Sequence, residues 1–456
     1  MKLERTTFSR SREGEYFDAR ELTRLTGRDA KDFLATTLKE LADNALDACE
    51  SAGVQPRITV ELSVEGDSLR LCVSDNGPGI LPETVEGMLN FSAYVSDKQA
   101  YRSPTRGAQG NALKTVIGMP HALGSREPRV VVAQGIRHSI TSEVDPAGGV
   151  RISHDQDEAD REPGTTWMVA FPADARCRFD LSWWAKSYAF VNPHASFETV
   201  EHVKRANSDS KENVEVYKSS DPSFDKWLPT DPTPPHWYDI SALSGLIHSH
   251  ISRAENGGRD LPIGEFARQF RGLTSSAKAR KVRESLPGIS YLSDLKGREE
   301  EIGCLLDAMR EHGRAPKHKT LGRVGERHFR ECIKRFYGIA RNFRYAYVPG
   351  YDRGLPFVFE LAVAATLEEG GVHHAINHSP TQGDPLTDMF FMDRKIEGHG
   401  LGGFAHNAHA NAHAVGRHGD SHVAVVTHLI HPAPSYTDKG KSKVHLQEEP
   451  WLRRTL

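Results

Sequence analysis

The chain has 456 residues, enough for about three domains at roughly 150 residues each. Hydrophobic residues at 38% and charged residues at 26% give the balance of a packed globular protein and exclude a largely disordered one. Lys plus Arg number 58 against 61 Asp plus Glu, so the net charge of −3 excludes a wholly basic nucleic-acid coat, though not a local basic surface.

The five cysteines stand far apart without paired metal spacing, as reduced thiols in a cytoplasm do. MKLERTTFSR has no apolar signal-peptide core, and Phe357 to Ala365 is too short to span a bilayer. The expected location is therefore cytoplasmic, with no membrane partner.

In chain order, residues 1–30 are polar with an aromatic anchor at Tyr16 and Phe17. From Asp32 to Glu50 the pattern is helical, with Leu38, Leu41, Ala45 and Ala48 as the buried stripe. Ile58, Val60 and Leu62 alternate as a strand, Glu65-Gly66-Asp67 turns, and Leu69, Leu71 and Val73 alternate again. Residues 92–110 read as a long loop, followed by a helix from Asn111 to Met119 and strands at 128–134, 137–143 and 166–171. A Trp-bearing helix at 181–190 closes the first domain. The Pro-rich, polar stretch 205–236 reads as a linker, 237–300 as a helical domain, and 301–456 as a mixed domain with a helix from Glu326 to Phe336 and strands at 343–348, 356–366 and 422–430. The first domain then spans 1–204 and the fold class is α+β.

Three pieces of the first domain carry chemistry. Glu40, Asn44 and Asp47 sit at i, i+4 and i+7, which puts a carboxylate, an amide and a second carboxylate on one helical face. Ser74-Asp75-Asn76-Gly77-Pro78-Gly79-Ile80 ends a strand in a D-x-G-x-G turn, where glycines admit a close ligand and Asp75 accepts from an exocyclic amine. Thr105-Arg106-Gly107-Ala108-Gln109-Gly110-Asn111-Ala112-Leu113-Lys114 is a glycine-rich loop opening a helix, a place for an anion such as phosphate, and it is not a Walker loop. Singly, the first is also a solvated helix face and the second a tight turn.

Together, in this order, the three resemble the N-box and glycine boxes of the GHKL (Bergerat-fold) ATPases, and Gly164-Thr165-Thr166 fits that family's last nucleotide motif. The resemblance implies an α/β sandwich that binds ATP and Mg²⁺. Glu40 would be the general base, Asn44 the Mg²⁺ ligand, and Asp75 the adenine reader supported by Thr166. Gly107, Gln109 and Gly110 would wrap the γ-phosphate, and Asp47, Gly77, Gly79, Ile80, Arg106, Asn111 and Lys114 would complete the nucleotide-binding set.

Within the family the lid is most similar to that of the topoisomerase VI B subunits, as is Asn192-Pro193-His194-Ala195. Leu261 to Phe266 and Phe270 to Leu273 stand where those proteins have a helix–two-turns–helix domain. Pro356 to Glu360, Ile376 to Pro380 and Tyr436 to Lys441 stand where they have a transducer. Lys441, with Lys439 as the alternative, would be a switch lysine acting in catalysis.

The implied function is the ATP-hydrolysing subunit of a type IIB DNA topoisomerase. It would dimerise on ATP binding, with residues 1–25 exchanged between protomers, and couple to a topoisomerase VI A-like partner bearing a toprim fold and a catalytic tyrosine. The alternative is an ATP-gated DNA clamp of MutL or MORC type without cleavage; the chain's end at Leu456, fifteen residues past Lys441, favours it, and the transducer and helical-domain resemblances disfavour it.

Two other features invite functions. Residues 310–344 hold eleven Lys/Arg against three Asp/Glu, and Arg323, Arg327, Arg330 and Lys334 are spaced to share a helical face. That predicts either a solvated face or a phosphate-tracking surface for double-stranded DNA. His406, His409 and His413 have helical metal spacing, but Gly, Asn and Ala around them predict a polar loop and no structural metal. Asp155-x-Asp157, the one candidate for a toprim-type metal pair, is likewise expected in a loop.

Overall fold

The computed structural model describes residues 11–92, 100–106, 112–146, 148–160, 162–176, 179–203, 211–338, 341–366, 370–383, 385, 422–437 and 443–446. Its first unit is an eight-stranded sheet backed by helices. Helix α1 (Ala19–Thr26) leads into α2 (Phe33–Ser51), the helix expected from Asp32 to Glu50. Leu34, Leu38, Leu41, Ala45 and Leu46 of α2 are buried on the sheet.

Strands β1 (Arg57–Glu65) and β2 (Ser68–Ser74) form the expected hairpin. A short α3 (Pro82–Met88) and then α4 (Ala112–Ala122) follow. Strands β3 (Arg129–Ala133), β4 (Ile136–Val144), β5 (Val150–Glu158) and β6 (Thr165–Pro172) precede α5 (Leu181–Val191), β7 (Ser196–Val203) and β8 (Lys211–Tyr217). The strand order is β5-β4-β3-β6-β2-β1-β7-β8, with β1 and β7 parallel and the other pairs antiparallel. Gln134-Gly135, both at positive φ (55° and 76°), make the tight β3–β4 turn.

Three strands of this sheet, β5, β7 and β8, are not expected from sequence. Asp155 and Asp157 lie in edge strand β5, opposite Ser139 and Arg137 of β4, and not in a loop. The segment expected as a linker begins with β8, the other edge of the sheet; its Val214 and Val216 face solvent, so it lacks the buried alternation that marks a strand in sequence.

Residues 11–26 pack on α4 of the same chain. Phe17 is buried in the first core, and at Gly118 of α4 a Cβ would come within 1.8 Å of the Tyr16 carbonyl oxygen.

The second unit is helical: α6 (Ile240–Glu255), α7 (Ile263–Arg268), α8 (Ser276–Glu284) and α9 (Glu299–His312). Ile302, Leu305, Leu306 and Met309 of α9 share one core with Leu243, Ile247, Phe266 and Leu273, so the boundary expected at 300 falls at the start of a helix belonging to this unit.

The third unit combines α10 (Glu326–Tyr337) with a five-stranded sheet. Its strands are β9 (Arg341–Asp352), β10 (Leu355–Thr366), β11 (Gly371–Ile376), β12 (Ser379–Thr381) and β13 (His422–Ile430), in the order β12-β11-β13-β10-β9 with β11 and β13 parallel. Phe190 and Val191 of α5 join a core with Phe329, Ile333 and Ala424, which seats the first unit on the third.

Arg323 precedes α10 and its guanidinium lies 5.5 Å from the Tyr347 ring, so it does not share a helical face with Arg327 and Arg330. Those two pair with Glu331 at 2.9 Å and Glu326 at 2.7 Å, which neutralises part of the basic strip.

Candidate nucleotide site

Helix α2 presents Glu40 and Asn44, one turn apart, as half-buried groups beside its buried stripe. The Asn44 amide makes no hydrogen bond among the described residues, which leaves its carbonyl oxygen, a hard donor suited to Mg²⁺, open. Lys39 beside them is held charged: burial opposes this, but Asp43, at 2.8 Å, and Glu40 raise its pKa.

The D-x-G-x-G turn is built around Asp75. One of its oxygens, Oδ1, accepts from the Gly77 N–H at 2.8 Å and the Thr165 N–H at 3.3 Å. The other, Oδ2, receives no hydrogen bond among the described residues and is the oxygen open to an amine donor. Burial raises the Asp75 pKa, and the two N–H donors oppose that rise.

Close packing explains the glycines. At Gly164 (φ 100°) a Cβ would lie 1.7 Å from the Asp75 carbonyl oxygen, and at buried Gly77 it would meet Asp75 Oδ1 at 2.9 Å. Gly79 has φ 81°, and the Pro78 carbonyl beside it accepts from the Gln134 side chain.

The two threonines meet different partners. Thr166 bonds Ser74 (Oγ–Oγ 2.9 Å), its register partner across the β2–β6 pair. Thr165 is the residue that meets Asp75, through its backbone, and its hydroxyl accepts from the Ile80 N–H at 3.0 Å. Asn76, which sequence reasoning passed over, pins the turn to the α2–β1 connection by accepting from Arg57 N–H at 2.8 Å and donating to Gln55 O at 3.0 Å.

Lys114 on α4 is buried and donates to the Asn90 carbonyl at 2.6 Å, 6.0 Å from the Tyr16 and Phe91 ring centres; burial lowers its pKa.

Arg106 stands apart from a phosphate contact. It is 1% exposed. Its Nη1 donates to Asp47 (2.9 Å) and to both oxygens of Glu50, its Nε to the His378 carbonyl (3.1 Å), and its Nη2 to the Asn192 side chain. Arg106 and Asp47, both expected at the nucleotide, therefore hold each other inside the protein. Gly107, Gln109, Gly110, Asn111, Lys439, Lys441 and the histidines from 399 to 418 lie outside the described residues.

Glu50 is the hub that no motif flagged. Burial works to raise its pKa, but Arg106, Lys226 at 2.7 Å and a hydrogen bond from His194 at 2.8 Å hold it well below the usual carboxylate range. Three segments remote in sequence thus meet at the end of α2.

Residues 29–172 match the family described as histidine kinase-, DNA gyrase B- and HSP90-like ATPase. That stretch contains the α2 face, the Asp75 turn and the Thr165–Thr166 strand, and it is a GHKL-type ATPase domain.

Beyond this class, the chain resembles the B subunits of type 2 DNA topoisomerase 6. The B subunit from Natronomonas pharaonis is 30% identical over 271 residues, 55% of this chain and 32% of that protein. The one from Halobacterium salinarum is 32% identical over 234 residues, 49% of this chain and 28% of that protein. The matched region thus spans about a third of those relatives' length. The likeness to the solved ATPase region of Saccharomyces cerevisiae topoisomerase II is loose, with a TM-score of 0.36 and 11% identity over 92% of this chain and 81% of that one. No helix among the described residues is long and apolar enough to cross a membrane.

Proposed function

We propose that this chain binds and hydrolyses ATP as the energy-transducing subunit of a topoisomerase VI-like enzyme. In this reading nucleotide binding brings two copies together, and the closed state is passed to double-stranded DNA and to a partner that cleaves it. The observation that carries the reading is the Asp75 carboxylate: Oδ1 is fixed by two backbone N–H groups while Oδ2 is left for the adenine amino group, beside a helix that offers Glu40 and Asn44.

Glu40 orients the attacking water and takes its proton, a task for a carboxylate held near the phosphates by a packed helix. Asn44 would hold Mg²⁺, which neutralises phosphate charge when bound. Asp75 selects adenine, and Ile80, whose N–H is tied to Thr165, helps shape the base pocket. Lys439 or Lys441 reaches the γ-phosphate from the third unit. The exposed Lys334 of α10 and the exposed Lys281 and Arg283 of α8 supply salt-sensitive DNA contacts.

The test is isothermal titration of the full chain with a non-hydrolysable ATP analogue and Mg²⁺. Saturable binding that Asp75→Asn weakens about tenfold or more supports the reading; equal binding by both proteins contradicts it. Light scattering of the same samples should show monomer turning to dimer with analogue. Co-purification with a toprim protein bearing a catalytic tyrosine, and cleavage of supercoiled DNA only when both are present, would test the partner.

A further inference from the structure

The face of α2 next to the Glu40–Asn44 stripe carries Asp43, Asp47 and Glu50, at i, i+4 and i+7, and all three are buried. These carboxylates do not face solvent or a ligand. They face the turn that joins β11 to β12 in the third unit and the Arg106 side chain set between. Ser379 donates to Asp43 Oδ2 at 2.7 Å, and Tyr188 of α5 donates to Asp43 Oδ1 at 2.9 Å. The Asn192 amide donates to the His378 carbonyl at 3.0 Å, alongside the Arg106 Nε bond to the same oxygen.

The turn is a two-residue hairpin between Ile376 and Ser379. Asn377 and His378 both have positive φ (51° and 65°), as the two central residues of a type I′ turn require and as Asn and His adopt more readily than most side chains. The hydrogen bonds around it have a fixed sense. His378 Nδ1–H donates to the Val191 carbonyl at 2.9 Å, and the His378 N–H donates to His428 Nε2 at 3.1 Å. His428 must then carry its proton on Nδ1, which faces Glu360 at 3.3 Å. Glu360 also accepts from the Val324 and Gly325 N–H groups and the Tyr345 hydroxyl, at 2.9, 2.8 and 2.7 Å. An unbroken buried polar chain therefore runs from α2 through Arg106 and the 377–379 turn to the segment that opens α10.

We propose that Arg106, with the Asp43–Ser379 bond, is a positioning device that locks α2 to the 377–379 turn. The attitude of the Glu40–Asn44 face and that of the five-stranded sheet are then one coordinate, without a lysine entering the pocket. The physical reason is the cost of partial separation. Arg106, Asp47 and Glu50 are buried ions joined by hydrogen bonds in a single geometry, with Lys226 ion-paired to Glu50 at 2.7 Å, and shifting α2 against the turn strands them in a low-dielectric interior. The link therefore moves as a unit or breaks outright. Arg106 acts through α2 and touches no reacting atom.

The inference rests on the ATPase reading, so its test has one readout that needs ATP and one that does not. The full chain, Arg106→Lys and Ser379→Ala are compared for kcat and KM and, without nucleotide, for hydrogen exchange at residues 372–381. Arg106→Lys keeps a charge but loses the fork that spans Glu50, His378 and Asn192. Ser379→Ala removes a single hydroxyl and stands in if the lysine variant does not fold.

The expected result is a fall in kcat of about tenfold with KM within about twofold, together with faster exchange at 377–381. A variant with an unchanged kcat, even if it melts earlier, overturns the proposal, and so does unchanged exchange at the turn. A wild-type chain that turns over no ATP contradicts the ATPase reading, and the exchange comparison then decides the link by itself.

Discussion

The Asp75 turn and the Arg106 junction are both polar sites against α2, the first half-buried and the second buried, and they are built on opposite rules. Around Asp75 the partners lie in short motifs, backbone N–H groups do the holding, and one oxygen of Asp75 is left unused. Around Arg106 the partners come from residues 47, 50, 192 and 378, every contact is made by a side chain or a distant carbonyl, and nearly every donor is taken. An unfilled valence marks a place for a ligand; a filled one marks a joint.

The largest expected effect tests the ligand side. Glu40→Ala should lower ATP turnover by about a hundredfold or more while leaving unfolding in urea almost unchanged. Asp75→Ala should weaken nucleotide binding about ten- to hundredfold by calorimetry, the value of a hydrogen bond to a charged acceptor.

The joint should respond the other way. Glu50→Ala leaves Arg106 and Lys226 buried without their common counter-ion, so it should cost about 3–5 kcal/mol of stability in denaturant titration. If Glu50→Ala proves as stable as wild type while Glu40→Ala unfolds, the distinction between the two sites fails.

Acid should loosen the joint and the third unit early. Burial holds His378 well below its ordinary value and brings His373 down to about 3, so both stay neutral when folded and take up protons only on unfolding. The unfolded state then binds more protons below about pH 6.5, and stability falls with pH from there by up to about 1.4 kcal/mol per unit for each histidine. Glu50 adds a loss in the same direction, beginning near its unfolded value of about 4.3 and running down through its depressed folded pKa. Urea midpoints between pH 7.5 and 5.5 would check this, and His373→Gln should flatten the slope, the smallest effect of the set.

The same contrast explains what was legible in the sequence. Helix α2, the β1–β2 hairpin and the Asp75 turn announce themselves through local periodicity and glycine spacing. The GHKL resemblance rests on those features, and the domain match over 29–172 falls on them. Strand β8 is silent, because an edge strand with Val214 and Val216 in solvent has no buried face to set a period. The contact of Thr165 with Asp75 goes unread because a backbone contact leaves no trace in residue type.

Arg106 reads as a phosphate ligand in sequence because it adjoins a glycine-rich loop, but its partners are up to 272 residues away. The one local trace of the joint is Asp43-x-x-x-Asp47-x-x-Glu50, an acidic helical face that in sequence reads as solvated. Its burial becomes legible only once Arg106 is seen against it.

ATP hydrolysis and analogue affinity, measured on the same preparations of wild type and Glu40→Ala, decide whether α2 carries the base. Hydrolysis should fall about a hundredfold or more while affinity stays within about threefold. Turnover within a few fold of wild type, or a parallel loss of binding, would contradict Glu40 as the base on an ATP-binding α2.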